Sequence, residues 1–290
     1  MATKITAAMV KQLREMTDSP MMECKKALVE ADGDIEKAVD VLRKMGLAKA
    51  VKRAGRETNE GTIAIYVSDD AKLAAMVELT CETDFVGTNG KFKDFAHAVA
   101  EVVAKNDPAD VDALKTCAMG EGTVESELTE MIHVIGENMK INRFARLTAE
   151  NGAIGCYIHH DGKHADMVSF SFSKPETAAA DEFKTFAHDV AMQVVASNPV
   201  SAVREDVPQD VIDHEMGIYK AQAAESGKPE AIQEKIALGK LEKFYKENVL
   251  TEQVFVKDSN ETISSLAKKV SKSLGDDIKV VTFVRFNFGE

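Results

Sequence analysis

The chain has 290 residues, of which 44% are hydrophobic and 29% charged, and its formal net charge at pH 7 is −12. This length allows two or three hydrophobic cores. The acidic excess disfavours direct nucleic-acid binding, because phosphate contacts need Lys and Arg, and no apolar run approaches the roughly 20 residues of a membrane helix.

Residues 1–55 predict a bundle of three short helices. Thr6 precedes the first helix, and Ser19-Pro20 is expected to open the second, with Ser19 as its N-cap. The segment 32–34, Asp-Gly-Asp, separates the second helix from the third, which is predicted to stop at Gly46. Such a bundle is typical of a module that binds another protein. The alternative is a helix-turn-helix DNA reader, which the acidic balance disfavours.

The rest of the chain predicts two related αβ subdomains, one over residues 56–140 and one over 141–208 with 248–290. The strands of the second are expected at 141–147, 154–160, 164–172, 254–256 and 278–286, and all five are expected to join its sheet. Nine residues from Phe92 match nine residues from Phe183 at seven positions, each copy on a predicted helix. This repeat indicates a duplicated unit.

Residues 209–247 predict two helices on either side of Ser-Gly-Lys-Pro at 226–229, a turn that breaks a helix. Their apolar positions leave a thin seam between polar faces, which predicts an antiparallel helical hairpin inserted into the second subdomain. Residues 118–124 are expected to form a loop insertion. The predicted fold class is therefore α+β, with a three-helix bundle, two αβ subdomains with antiparallel sheets, and an inserted helical hairpin.

The segment 78–86, Glu-Leu-Thr-Cys-Glu-Thr-Asp-Phe-Val, is the most informative in the sequence. It ends a buried apolar strand and then places an acid, Asp84, beside a large aromatic, Phe85. Adjacent side chains at a strand end point to opposite sides, so the two cannot both lie in the core. An exposed aromatic on a rigid support suits contact with a partner. The alternative is that Phe85 folds back into the core.

Motifs for catalysis are absent from the sequence. No Gly-Lys pair completes a phosphate-binding loop, and no Cys-x-x-Cys pair occurs among the four cysteines. His159, His160 and His164 form the one histidine cluster, and a metal-dependent enzyme built on it is the rival hypothesis. We expect no catalytic residue, no metal and no cofactor. The N-terminus lacks the apolar core of a signal peptide, which predicts a cytoplasmic location.

Two segments resemble the signatures of one family. Residues 13–28, LREMTDSPMMECKKAL, are similar to the first signature of bacterial elongation factor Ts, and residues 78–86 are similar to its second. The order of the predicted segments also resembles that of this family, over nearly the whole chain. The resemblance implies a UBA-like N-terminal bundle. It also implies a guanine-nucleotide exchange factor, not an enzyme, which binds elongation factor Tu with GDP and promotes GDP release during translation elongation, so that GTP can reload.

The resemblance also implies roles for particular residues. Thr83, Asp84, Phe85 and Val86 would reach the nucleotide site of the GTPase, with Asp84 near the magnesium ion and Phe85 as a wedge. A second contact would come from the N-terminal module. Its predicted contact residues are Arg14, Met21, Met22 and Lys25.

The sequence leaves several of these assignments open. Arg14 and Lys25 could simply be solvated, and Met21 and Met22 cannot both face inward on one helical turn. Asp189 and Gln193 are further candidates for partner contact. Gly87-Thr88 departs from the family pattern, which has a small residue followed by a basic or polar one. The helical hairpin is a candidate surface for self-association.

Overall fold

The computed structural model describes residues 3–225 and 227–290, and the chain divides into two compact units. The first takes the residues up to Ala64, Val77–Phe144 and Gly289. The second takes Ile65–Met76, Ala145–Phe288 and Glu290. Helices and antiparallel strand pairs occur together, as the α+β prediction requires.

Three helices open the first unit: α1 (Ala7–Thr17), α2 (Met21–Glu30) and α3 (Ile35–Arg53). The side chains of Thr6 and Asp34 cap α1 and α3 by accepting hydrogen bonds from backbone N–H groups in the first turn. The helices share a small apolar core. Its fully buried members are Leu13, Cys24, Ala27, Leu28 and Ala38.

Two predictions about these helices are wrong. Ser19 is buried and makes no cap; Pro20 occupies the N-cap position of α2, with φ −56°. The third helix does not stop at Gly46 but continues for seven more residues to Arg53. A Cβ at Gly46 would lie 3.3 Å from the Cβ and Cγ atoms of His133, so this glycine serves close packing rather than helix termination.

The chain then alternates strands with helices. The elements are β1 (Glu60–Val67), β2 (Leu73–Cys81), α4 (Asp84–Gly87), α5 (Gly90–Asn106), α6 (Val111–Thr116), β3 (Ala118–Met119), β4 (Gly122–Thr123), α7 (Val124–Ile135) and β5 (Met139–Thr148). Strands β1, β2 and β5 form a sheet in that order. The predicted loop at 118–124 is instead a short antiparallel hairpin, β3 with β4, which turns at Gly120 with a left-handed φ of 58°.

The second unit continues from β5. Its further elements are β6 (Gly152–Ile158), β7 (His164–Ser171), α8 (Asp181–Ser197), α9 (Gln209–Ala224), α10 (Glu230–Asn248), β8 (Val254–Phe255), β9 (Asp258–Thr262), α11 (Ile263–Leu274) and β10 (Lys279–Asn287), with short 3-10 turns at Pro175–Ala179, Arg204–Asp206 and Leu250–Glu252. Strand β7 lies between β10 and β6 and pairs antiparallel with both. The core contains Phe170, whose ring makes edge contacts with the rings of Phe183 and Phe186 of α8. The ring centroids are 5.5 Å apart in both pairs.

The sheet of the second unit differs from the prediction at two strands. The predicted strand at 141–147 is part of β5, which lies beside β2 in the sheet of β1, β2 and β5. Strand β10 joins the sheet of β6 and β7 as expected, but the predicted strand at 254–256 does not. There β8 pairs with β9 as a separate two-stranded ribbon. The sequence Asp-Ser-Asn-Glu-Thr of β9 carries no apolar alternation, so nothing in its pattern indicates a strand.

Helices α9 and α10 share apolar residues, with Phe244 and Tyr245 buried among Ile212 and Met216. Arg204 bonds to Glu242 of α10 and to Glu252, and its guanidinium lies 4.2 Å from the centroid of the Tyr245 ring. Of the predicted turn at 226–229, Ser226 lies outside the described residues. Pro229 occupies the N-cap position of α10.

The repeated sequence forms α5 and α8, which have the same length and nearly the same burial pattern. Phe92, Phe95 and Val99 are buried on α5, as are Phe183, Phe186 and Val190 on α8. The histidines at equivalent positions, His97 and His188, are both exposed. The shared apolar spacing explains why the two segments keep similar sequences.

Gly155 tests the packing of β6 on α8. A Cβ there would lie 2.9 Å from both the Cβ and the carbonyl oxygen of Ala187. We expect Gly155→Ala to lower the free energy of unfolding by about 1–3 kcal/mol, because backbone or helix must shift. The matched control is Gly217→Ala on α9, where no described atom lies within 4 Å. It should raise stability by about 1 kcal/mol.

Urea denaturation of both variants measures the two effects. Equal stabilisation by both substitutions would contradict the close approach of β6 to α8.

Candidate partner-binding site

The segment Thr83 to Val86 forms a tight turn that starts α4 rather than the end of a strand. Strand β2 ends at Cys81, and the Thr83 side chain caps α4 by accepting a hydrogen bond from the Val86 N–H at 3.3 Å. The strand-end geometry expected for Asp84 and Phe85 is therefore wrong. Both side chains nevertheless face solvent, whereas Val86 in the same turn is buried.

Phe85 is 83% exposed, the highest value among the large exposed apolar side chains of the described residues. Val86, the next residue, is only 7% exposed and anchors the turn. The expectation that Phe85 projects from the core is confirmed. A fully solvated phenyl ring gains nothing for the fold, and its burial against a partner would remove much apolar surface from water.

Glu137 braces this turn from a distant part of the sequence. One carboxylate oxygen accepts hydrogen bonds from the N–H groups of Glu82 and Thr83, at 3.2 and 3.0 Å. The other accepts one from the Thr83 hydroxyl at 2.7 Å. Hydrogen bonds to a charged acceptor are the strong ones. Glu137 therefore fixes the backbone two residues before Phe85.

The carboxylate of Glu82 in turn bonds to the residue that follows Glu137. Glu82 accepts hydrogen bonds from the Asn138 N–H at 2.6 Å and from the Arg56 guanidinium at 3.1 Å. The Asn138 amide in turn donates to the Arg56 carbonyl at 2.8 Å. Residues 82–83 and 137–138 thus hold each other by reciprocal bonds, which makes the base of the turn rigid.

Gly87 and Cys81 complete the local structure. A Cβ at Gly87 would lie 2.9 Å from the Gly61 carbonyl oxygen, so only glycine fits the exit of the turn. The Cys81 thiol donates to the Thr83 carbonyl at 3.1 Å. Burial, helped by the Glu137 charge, raises the pKa of Cys81 to about 12. This thiol is therefore protonated at neutral pH and serves packing.

The predicted residues of the N-terminal module are all exposed. Arg14 lies on α1, and Met21, Met22 and Lys25 lie on α2. Met21 and Met22 are 52% and 64% exposed, so both face solvent rather than one only. Their role in partner binding stays a prediction.

The sequence prediction missed a further member of this surface. Val29 is 62% exposed and lies seven residues after Met22, on the same face of α2. Together with Glu30 it lines a shallow hollow that also includes Met22, Lys25 and Lys26. Helical spacing from Met22 would have identified Val29. We call Met22, Lys25, Lys26 and Val29 the α2 face.

Within the first unit, an ion pair links the connection between α1 and α2 to the start of α5. The Lys91 ammonium at the start of α5 lies 2.8 Å from a carboxylate oxygen of Asp18, which lies between α1 and α2. The hydrogen bond from the Lys91 ammonium lowers the pKa of Asp18, and the positive charge of Lys91 adds to this effect. Because both groups are solvated, this pair adds little stability. It does place the start of α2 close to the chain that leaves α4.

Gln193 and the histidine cluster do not form comparable surfaces. Gln193 is fully buried and donates to the Val254 carbonyl at 3.1 Å, so it cannot contact a partner. The rings of His159 and His160 lie 4.2 Å apart, and His164 bonds to Asn287. Within the described ranges, no group of three or more His, Cys, Asp or Glu is arranged to hold a metal ion. In those ranges, too, helices of sufficient length and apolarity to cross a membrane are absent.

Fold and site together define an α+β protein that presents a solvated aromatic on a braced turn and a mixed apolar and basic face on a short helix. Comparison with known proteins agrees with the resemblance seen in the sequence. The sequence model of the family described as Elongation factor TS matches residues 82–290.

Curated relatives match almost the whole chain. Elongation factor Ts of Clostridium tetani is 46% identical over 289 residues, which cover 99% of this chain and 94% of the relative. Elongation factor Ts of Trichlorobacter lovleyi is 44% identical over 289 residues, covering 99% and 93%. The chain therefore belongs to the elongation factor Ts family, whose members are translation elongation factors.

Proposed function

We propose that this chain is a guanine-nucleotide exchange factor that binds elongation factor Tu in its GDP form and promotes GDP release. Membership of the family supports the choice of partner. The observation that carries the proposal is Phe85, an 83% exposed aromatic on a turn braced by Glu137. A rigid wedge loses little conformational entropy on insertion, so more of its contact energy remains for opening the partner.

Thermodynamic linkage sets the requirement for exchange. A factor that promotes GDP release must bind the nucleotide-free GTPase more tightly than the GDP form, and GDP then weakens its binding by the same factor. Phe85 supplies such a differential contact if its ring is buried only when the GTPase has opened. The chain itself then makes and breaks no covalent bond, so the proposed role needs no catalytic residue.

The neighbours of Phe85 have separate proposed roles. The Asp84 carboxylate would act near the magnesium ion, whose loss removes much of the affinity for phosphate. Thr83 and Val86 hold the turn through the cap hydrogen bond and a buried side chain. Arg14, Met21 and the α2 face form the second contact, where apolar side chains next to basic ones suit an acidic and apolar partner surface.

The family resemblance extends to finer features of the fold. We propose that α1–α3 form a UBA-like module and that α9 and α10 form an antiparallel hairpin inserted into the second subdomain. We also retain the predicted boundaries 1–55, 56–140, 141–208 with 248–290, and 209–247. Self-association through the hairpin stays a prediction, as does a cytoplasmic location.

The test measures release of fluorescent GDP from purified elongation factor Tu, chased with unlabelled GDP, over a range of factor concentrations. We expect release to accelerate by about tenfold or more at saturation. The control is binding of the factor to elongation factor Tu with and without GDP, where GDP should weaken the complex. Release at the intrinsic rate, whatever the concentration of factor, would rule the proposal out.

A further inference from the structure

A partly buried polar cluster flanks the α2 face, where α2 meets α3 and α7. Its members are Glu23 of α2, Lys49 of α3 and His133 of α7. The Glu23 side chain is 18% exposed, forms an ion pair with Lys49, and places its other carboxylate oxygen 3.6 Å from His133 Nε2. Three helices of the first unit thus meet at one carboxylate.

His133 is not explained by packing alone. Its side chain is fully buried, and neither of its ring nitrogens has a hydrogen-bond partner in the described part of the chain. The facing oxygen, Glu23 Oε2, is also buried without one. Unpaired buried polar atoms cost free energy, so an apolar residue at position 133 would suit the fold better. Residues that break a local rule in this way often serve function.

The surroundings of the imidazole are shaped to admit it. Gly46 of α3 has no side chain, and this leaves room for the histidine. A Cβ added at Gly46 would lie 3.3 Å from the Cβ and Cγ atoms of His133. Two turns further along α3, Arg53 donates to the Ile132 carbonyl at 2.9 Å and fixes α7 against α3. The ring is therefore held firmly on α3 and α7, while its one polar neighbour on α2 is Glu23.

The ionisation state of the cluster follows from these neighbours. Burial lowers the pKa of His133; the Glu23 charge acts in the opposite direction, and the charges of Lys49 and Arg53 act with burial. A neutral imidazole carries one N–H, which on Nε2 would face Glu23 Oε2. At 3.6 Å the two atoms lie beyond the usual hydrogen-bond range, and a movement of α2 by about 0.5 Å would bring them within it.

We infer that His133, acting with Glu23 and Lys49, is a positioning residue that sets the orientation of the α2 face for partner binding, and that its contact with Glu23 closes to a hydrogen bond when α2 is pressed against a partner. This inference rests on the proposed function. Hydrogen bonds in enzyme active sites behave in a similar way, since they are often long in the free protein and tighten in the complex. The cluster links the surface of α2 to α7, and through α7 to the rest of the first unit.

The test separates binding from maximal rate. GDP release from elongation factor Tu is measured against factor concentration for His133→Phe and for Glu23→Gln, with exposed His97→Phe as the matched control. Because the contact supports binding rather than the wedge, the concentration for half-maximal release should rise about five- to tenfold, with the maximal rate within about twofold. His97→Phe should change neither.

A second background shows whether His133 acts through α2. In a chain that carries Met22→Ala and Lys25→Ala, His133→Phe should raise the half-maximal concentration by less than about twofold, because coupled residues are non-additive. An equal rise in both backgrounds, or no rise in either, would overturn the inference. Glu23→Gln keeps the shape of the side chain and guards against misfolding of the histidine variant.

Amide hydrogen exchange of α2 in the free protein gives a readout independent of the partner. We expect exchange in α2 to become about tenfold faster in Glu23→Gln, because this change weakens the ion pair with Lys49. Unchanged exchange would overturn the inference even if GDP release is fast. Faster exchange in Glu23→Gln, in a chain whose wild-type form does not promote GDP release, would reject the proposed function and leave the hold of the cluster on α2 intact.

Discussion

Replacement of Phe85 by alanine is expected to lower the maximal rate of GDP release by about 10- to 100-fold, the range of a central aromatic in an interface. The ring is 83% exposed in the free chain, so its removal should cost the fold almost nothing. The loss should therefore appear in exchange and not in thermal unfolding. Fluorescent GDP release at saturating factor, together with a melting curve, measures both.

The matched control for Phe85→Ala is Val51→Ala, which removes another strongly exposed apolar side chain, 75% exposed, from the first unit. It should leave exchange unchanged. Asp84→Asn then separates two origins of exchange. If Phe85→Ala exchanges at the wild-type rate and Asp84→Asn does not, the carboxylate and not the ring opens the nucleotide site, and the wedge hypothesis is wrong.

Features that depend on neighbouring residues in the sequence were predictable. Thr6 and Asp34 cap helices because a short polar side chain lies just before an apolar helical pattern. The continuous apolar run before Thr83 predicted a buried strand, and β2 is buried almost throughout. The exposure of Phe85 followed from the same local pattern, even though the turn proved to be helical.

Features that depend on distant contacts were not predictable from one sequence. Gly46 seemed to stop α3, because its packing partner, His133, lies in a helix far along the chain. Ser19 seemed to cap α2, yet it is buried between helices. Glu137 carried no local signal at all. One part of the site, Thr83 to Val86, is therefore visible in the local sequence. The other part consists of the residues that hold this turn, and it depends on tertiary contacts.

The tertiary half of the site makes the second large prediction. Glu137→Ala removes the acceptor of three hydrogen bonds, which the N–H groups of Glu82 and Thr83 and the Thr83 hydroxyl donate. Each bond to a charged group contributes about 1.5–3 kcal/mol when shielded from water, and less at an exposed turn. We expect the turn to fray and the maximal rate of GDP release to fall about tenfold, because Phe85 is no longer held in one orientation. Stopped-flow GDP release at saturating factor measures this rate.

Two companion variants decide whether Glu137 acts through Phe85. Glu137→Gln keeps one carbonyl acceptor and should lose less than Glu137→Ala. In the Phe85→Ala background, Glu137→Ala should reduce the rate by less than about twofold, since the brace then has no wedge to hold. A full tenfold loss in that background would mean that Glu137 supports exchange by another route, such as direct contact with the partner. A wild-type rate in Glu137→Ala would mean that the reciprocal bonds of Glu82, Asn138 and Arg56 alone keep the turn rigid.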